Sequence, residues 1–478
     1  MDLPLQFPLR VASRTFEDGP RATVRDPWRG GPVGHIVLCD DEHAELAIAA
    51  AERAFATMRS MPAFERRRIL RSVAQSVAWN AEKFAELIAR EAGKPLKLAH
   101  AEVARAVSTL ELGAEEATRV GGEVVPLDLT DSAAGMVGGY ARVPAGPVIA
   151  MAPFNFPLNL VCHKLAPAFA CGCPVVLKPA PQAPLTALFL GDIVRQSGAP
   201  ENALQVVPCE LPVAQKLVRD DRFSTFSFTG SAKAGWYLKS IAGKKRVLLE
   251  LGGNAAVIVH NDADRDRALE RTVTSAFAYA GQVCIKAQRI FVHDDIYPGF
   301  VADLARRASA LTPKDPLEPD AVVSSLIDEA SAVRVETWID EALSAGAERL
   351  AGLTRAGARI APTVLSVNAP RQLALKVVAE EVFGPVVTVH RYHAWNDALE
   401  QAGATRYGLQ AAIFTRDLSR VRDAFDRLRV GGLIVNESPS FRVDAMPYGG
   451  TKDSGLGREG VRFAIEEMTE RKLLALRF

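Results

Sequence analysis

Between Pro147 and Ile241 the chain alternates short apolar runs with helical stretches, and this rhythm restricts the fold more than any other feature. The runs Pro147–Ala152, Pro174–Lys178, Leu204–Pro208 and Thr225–Thr229 read as strands, and 158–170, 184–197, 211–219 and 231–241 carry apolar residues at helical spacing. Strands separated by a helix's length of chain pair in parallel, because the crossover between them is right-handed and needs that length. The expected class is therefore α/β, with the layout of a doubly wound nucleotide-binding domain whose ligands lie at the carboxyl ends of the strands. The most apolar segment, 146–177, is interrupted by Pro153, Pro157, Pro167 and Pro174 and carries Asn155, Asn159, His163 and Lys164. A membrane helix needs roughly 20 uninterrupted apolar residues, so a buried strand–helix–strand unit is expected and no membrane partner.

A chain of 478 residues exceeds what one hydrophobic core organises, so at least two domains are expected. Residues 22–38 suggest short strands around Pro-Trp and Gly-Gly turns, and helical patterns follow near 42–59, 64–92 and 95–118. The pieces 122–128 and 135–143 flank a polar turn and read as an arm that pairs elsewhere. A second α/β region runs from about 250 to 440, and the tail 471–478 can form a terminal strand. A net charge of +1 gives no electrostatic reason for a nucleic-acid partner. The amino terminus lacks the pattern of a signal peptide, and six cysteines without a staple pattern suit a reducing, cytoplasmic setting. Cys171 and Cys173 have no second ligand pair nearby, so no metal is expected.

Two residues carry the strongest chemistry. Glu250 lies in Leu-Leu-Glu-Leu-Gly-Gly-Asn and Cys284 in Gly-Gln-Val-Cys-Ile. A thiol is a good nucleophile near neutral pH, and a carboxylate serves as general base. Asn155 follows a strand, where its amide can donate to a developing oxyanion or simply shape a turn. Lys178 ends a strand, suited to ribose hydroxyls or phosphate, or to plain solvation. Gly230 and Ser231 open a helix whose N–H groups can face a pyrophosphate, or Ser231 is only a cap. A literal dinucleotide fingerprint at Gly455–Gly460 follows no apolar strand and leaves too little chain for a βαβ unit, so it reads as a glycine-rich turn.

Pro-Phe-Asn-Phe-Pro, Leu-Lys-Pro, Phe-Thr-Gly-Ser, Glu-Leu-Gly-Gly-Asn, Gly-Gln-Val-Cys, Glu-Glu-Val-Phe-Gly-Pro (380–385) and Pro-Tyr-Gly-Gly-Thr-Lys-Asp-Ser-Gly (447–455) occur in that order. In this the chain resembles the aldehyde dehydrogenase superfamily over essentially its whole length, and 436–447 looks most like the lactaldehyde-dehydrogenase-like branch. The resemblance implies a Rossmann-type cofactor domain (1–120 and 144–249), an α/β catalytic domain (250–440) and a small β oligomerisation flap (121–143 and 460–478). It implies Cys284 as nucleophile, Asn155 with the Cys284 N–H as oxyanion donors, and Glu250 as the base that releases the acid. Lys178 would hold the adenosine ribose, Gly230 and Ser231 the pyrophosphate, and Glu381 the nicotinamide ribose, with Phe383 beside the ring. A homodimer or homotetramer and NAD or NADP as acceptor are implied as well.

Two departures bear on specificity. Many NAD-preferring members carry a glutamate where this chain has Pro181, so the carboxylate that would repel a 2′-phosphate is missing and NADP is expected to be tolerated. Members acting on phosphorylated aldehydes often place an arginine before the cysteine; here Val283 stands there and Phe156 follows Asn155. A small polar aldehyde is expected instead, with Arg442 and Arg105 as candidate anchors. The rival readings are a CoA-acylating semialdehyde dehydrogenase and a binding or structural protein that has lost catalysis. Glu250 argues against the first, and the intact set Cys284, Glu250, Asn155 and Glu381 against the second.

Overall fold

A computed structural model describes residues 5–478 apart from Leu353. Its first sheet has six strands in the order 204–206, 175–178, 148–151, 225–229, 246–250 and 455–456. The first five run parallel and the last is antiparallel. Chain order along this sheet reverses between Val148–Met151 and Thr225–Thr229. Such a reversal opens a crevice at the carboxyl ends of the two strands, where ligands of open α/β sheets bind. Asn155 follows one of these strands and Gly230 the other.

Alternation along each strand divides the sheet between two cores. Val148, Ala150, Val175 and Leu177 pack with the helices Ala63–Trp79, Leu96–Glu116 and Asn159–Cys171. Ile149, Met151, Val176, Phe226 and Phe228 pack with residues of the helix Asp41–Met58 on the opposite face. Every residue of Asn159–Cys171 is buried, so His163 and Lys164 enter the interior and must find partners there.

The second sheet has seven strands in the order 348–351, 363–366, 386–392, 287–293, 255–259, 410–414 and 432–435. Only its first pair is antiparallel. Glu250 ends a strand of the first sheet and Ala255 begins one of the second, so the short segment 251–254 joins these two strands. The arm strands Gly122–Pro126 and Met136–Pro144 pair with each other, and the second pairs along its whole length with Thr469–Arg477.

Two local expectations need correction. The helical pattern over 64–92 is two helices, Ala63–Trp79 and Ala81–Ala92, broken at Asn80, whose side-chain amide bonds the Ser76 carbonyl at 2.8 Å. Strands also precede residue 22: Leu5–Phe7 pairs with Pro32–Val37, and Leu9–Val11 forms a hairpin with Arg14–Phe16. That hairpin turns on Ala12 and Ser13 with φ of 51° and 63°, a conformation usually marked by glycine or asparagine, so nothing in the sequence announces it.

Candidate active site

Cys284 leaves a turn in which Tyr279, Ala280 and Gly281 all adopt positive φ, of 53°, 51° and 69°. Gly281 has to be glycine, because a Cβ there would strike the Gly384 carbonyl. The loop is strapped on several sides. The Tyr279 hydroxyl donates to the Ala92 carbonyl at 2.8 Å, and the Gln282 side chain bonds the Ile327 N–H at 2.9 Å and the Ser325 carbonyl at 3.2 Å. Cys284 is the one cysteine not fully buried among the described residues. Burial pushes its thiol up to about 11, against a hydrogen bond with Tyr448 and the positive charge of Arg442. The Tyr448 oxygen lies 3.2 Å from the sulfur.

Asn155 faces this loop. Its amide nitrogen donates to the Gln282 carbonyl at 2.8 Å, and the second N–H of the same amide remains for another acceptor. The segment behind it is fixed by Glu102, whose Oε1 accepts the Leu158 and Asn159 N–H groups at 2.9 and 3.1 Å. The other Glu102 oxygen is paired with buried Lys94, whose ammonium also sits 3.5 Å from the centre of the Phe156 ring. A buried ion pair so placed holds geometry well, since loss of either partner strands a charge.

Glu250 is buried, and neither of its carboxylate oxygens has a hydrogen-bond partner among the described residues. Burial, reinforced by the negative charge of Glu459, raises its pKa well above the ordinary carboxylate range against Arg442, Lys164 and Arg458. Gly449 makes room for it: a Cβ there would lie 2.8 Å from Oε1. Glu459 is the opposite case. Burial alone would raise it, but Lys164, His163 and Arg442 outweigh that and hold it down to about 2. Lys164 Nζ is 3.3 Å from one Glu459 oxygen and Arg442 is 3.1 Å from the other. Lys164 also donates to Thr229 at 2.7 Å and Ser227 at 3.2 Å.

The cofactor candidates line the reversal point. Lys178 is the last residue of its strand and makes no ion pair among the described residues; burial lowers its pKa, while Cys209 and Glu210 pull it back up. Ser231 caps the helix Ala232–Ser240 by accepting the Ala234 N–H at 3.3 Å. A Cβ on Gly230 would meet the Phe228 ring at 2.6 Å. Glu381 accepts the Gly253 N–H at 3.2 Å and is pushed up to about 7 by burial, against that bond and the charges of Arg334 and Lys286. Gly252 is pressed against the same carboxyl, which a Cβ would strike. Phe383, held at φ of 47°, meets Phe154 edge-on with ring centres 5.9 Å apart. A helix start, an unpaired ammonium at a strand end and a carboxyl fixed by backbone N–H suit the phosphates and riboses of a dinucleotide.

Of the two arginines, Arg442 has a buried side chain, paired with Glu459 and stacked 3.7 Å from the centre of the Tyr448 ring; its Nε has no hydrogen-bond partner among the described residues. Arg105 is more open, its side chain 31% exposed, and binds Asp444 through two nitrogens at 2.6 and 3.2 Å. Tyr448, Glu459, Glu102, Lys94 and Asp444 were not singled out from the sequence. The available signal was charge inside apolar sequence: His163 and Lys164 sit mid-helix, and a buried charge requires a partner. The glycine-rich stretch at 455–460 serves to deliver Glu459; Gly455–Leu456 pairs with the strand that ends in Glu250.

Residues 15–474 match the aldehyde dehydrogenase family. The chain is similar to the 3-sulfolactaldehyde dehydrogenase of Priestia aryabhattai, with 39% identity over 473 residues, 98% of each chain. Among solved structures it is similar to aldehyde dehydrogenase 21 from Physcomitrella patens in complex with the reaction product succinate. That match has a TM-score of 0.96 and 38% identity, covering 100% of this chain and 99% of that one. It is also similar to the NADP-dependent glyceraldehyde-3-phosphate dehydrogenase from Bacillus halodurans C-125 complexed with NADP. There the TM-score is 0.95 and the identity 33%, over 99% of this chain and 100% of that one.

Proposed function

The chain belongs to the aldehyde dehydrogenase family and is an NAD- or NADP-dependent aldehyde dehydrogenase; from that premise we propose that it oxidises a small polar aldehyde, of the lactaldehyde or semialdehyde kind and with an anionic substituent preferred, to its carboxylate. The observation that carries the hydrolytic outcome is Glu250. A buried carboxyl with both oxygens unpartnered, close enough to Cys284 to repel a negative charge on its sulfur, is placed for proton abstraction rather than for structure.

The residues divide the work as follows. The Cys284 sulfur adds to the aldehyde carbon, and the free N–H of the Asn155 amide, with the Cys284 backbone N–H, donates to the oxygen as it gains charge. When bound, the nicotinamide cofactor supplies the two-electron oxidation; Lys178, Gly230, Ser231 and Glu381 would hold it, and Phe383 with Phe154 would wall its ring. Glu250 then takes a proton from the water that cleaves the thioester on Cys284. Supporting the anionic substrate are Arg105 and the unpartnered Nε of Arg442, and the relatives that act on sulfolactaldehyde or yield succinate.

The supporting experiment is a panel of lactaldehyde, sulfolactaldehyde, succinic semialdehyde and benzaldehyde, each with NAD and NADP and with and without CoA. The anionic aldehydes are expected to give the highest kcat/KM and free acid as product whether or not CoA is present. Preference for benzaldehyde would remove the anionic substrate, and an acyl-CoA product would replace hydrolysis by thiol transfer. With Pro181 beside Lys178, NADP is expected to support turnover, and a large preference for NAD would sink that point.

No helix among the described residues is long and apolar enough to cross a membrane. The arm with the terminal strand exposes Val137, Leu474 and Leu476 on one side of its sheet, an apolar face suited to a second copy in a homodimer or homotetramer in the cytoplasm.

A further inference from the structure

Tyr448 is buried in an apolar cluster with Ile285 and Leu409, packed against Val283, Cys284 and Met446. A phenylalanine would satisfy that packing equally well. A buried hydroxyl has a desolvation cost unless it finds a partner, and the one hydrogen-bond partner of this hydroxyl among the described residues is the Cys284 sulfur at 3.2 Å. The guanidinium of Arg442 lies 3.7 Å from the centre of the Tyr448 ring. A cation against the face of a phenol draws density from the ring and makes its O–H the stronger donor. Arg442 is itself fixed by Glu459 at 3.1 Å, so the ring, the cation and the sulfur form one rigid stack.

We propose that Tyr448 is a catalytic residue: its hydroxyl donates to the Cys284 sulfur in the thiolate form, and Arg442, stacked on the ring, holds and strengthens that donation. The thiol can donate to the phenol oxygen before ionisation, but once its proton has left, the only direction remaining is from Tyr448 to sulfur. The hydrogen bond therefore favours the ionised nucleophile over the neutral one. Glu250, Arg442 and Tyr448 also meet here in a functional sense, because Arg442 contacts Glu459 on the side of the base and Tyr448 on the side of the nucleophile.

This inference rests on Cys284 being the nucleophile, and the test separates the two. The rate of iodoacetamide alkylation of Cys284 is followed against pH in wild type and in Tyr448→Phe, with thiolate absorbance near 240 nm as a second reading and Cys284→Ser as its blank. Cofactor-induced thermal stabilisation checks that each variant is folded. A hydrogen bond to a charged sulfur, lost, is expected to move the alkylation midpoint up by roughly one pH unit and to lower kcat/KM at neutral pH about tenfold. Arg442→Gln is expected to move the midpoint in the same direction. An unchanged midpoint in a folded Tyr448→Phe overturns the role of Tyr448 while leaving Cys284 in place. Wild-type enzyme that keeps its activity after full alkylation of Cys284 overturns both.

Discussion

Glu102 and Glu250 are both buried acids, one behind the oxyanion candidate and one beside the nucleophile, and their surroundings treat them oppositely. Glu102 has two backbone N–H groups and a lysine on its oxygens, and the result is a fixed segment from Asn155 to Asn159. Glu250 has no hydrogen-bond partner on either oxygen among the described residues, and its charge is resisted by burial and by Glu459. The same side chain is a strut where its valences are filled and is free for the proposed role of base where they are left open. The contrast separates rigidity from reactivity within one site.

Replacing Glu250 with glutamine attacks the reactive side and has the largest expected effect. Steady-state acid formation should fall by about 10³-fold, while a first-turnover burst of reduced cofactor survives, because oxidation precedes the need for the base. A steady rate within tenfold of wild type would erase the distinction between the two carboxyls. The same variant carries a pH signature. The folded-state pKa of Glu250 is raised, so ionising it destabilises the fold increasingly as pH climbs past the ordinary carboxylate value, and no penalty exists below that value. Glu250→Gln should therefore melt above wild type at pH 8, with the difference closing at pH 4; a constant difference would show that the cost is not ionisation.

Replacing Lys94 with methionine attacks the rigid side. It strands the Glu102 carboxylate, and the expected loss is about 3–5 kcal/mol, seen in the denaturant midpoint. Adding Glu102→Leu should return part of that stability without restoring kcat, since the Leu158 and Asn159 N–H groups would still lack their acceptor. Full recovery of kcat would mean that Glu102 does not position Asn155.

The smallest effect is expected at the rim. Arg105 is partly solvated and already paired with Asp444, so Arg105→Leu should raise KM for an anionic aldehyde only about fivefold and leave a neutral one unchanged. Equal change for both would assign Arg105 to structure, on the side of Glu102.

Much of the first sheet was legible, because period-2 apolar runs separated by helical stretches have few other solutions: the expected strand 225–229 coincides with the observed one, and 147–152 overlaps 148–151. Asn155, Gln282 and Cys284 sit in recognisable frames, and a hydrogen bond from the Asn155 amide to the Gln282 carbonyl ties the first to the loop that carries Cys284. The rest was hidden for a physical reason. Glu102, Tyr448 and Glu459 act through partners far away in sequence, and a carboxyl on a helix such as 96–116 reads as solvated until the strand and helix it caps are brought against it. Charge inside the apolar helix 159–171 was the visible half of that network, but its partners Asp444 and Glu459 lie in polar, glycine-rich sequence that resembles a loop.

The join at residues 251–254 has a practical consequence for anyone remodelling this enzyme. Gly252 is pressed against Glu381, and a Cβ on Gly253 would stand 2.6 Å from the Cys284 carbonyl, so one short splice touches the parts proposed to serve as base, ribose ligand and nucleophile together. A single inserted residue there would misalign all three at once. Cut sites, tags and domain grafts belong on the arm near 127–135 instead, and the splice sets the tolerance to which the whole catalytic assembly is built.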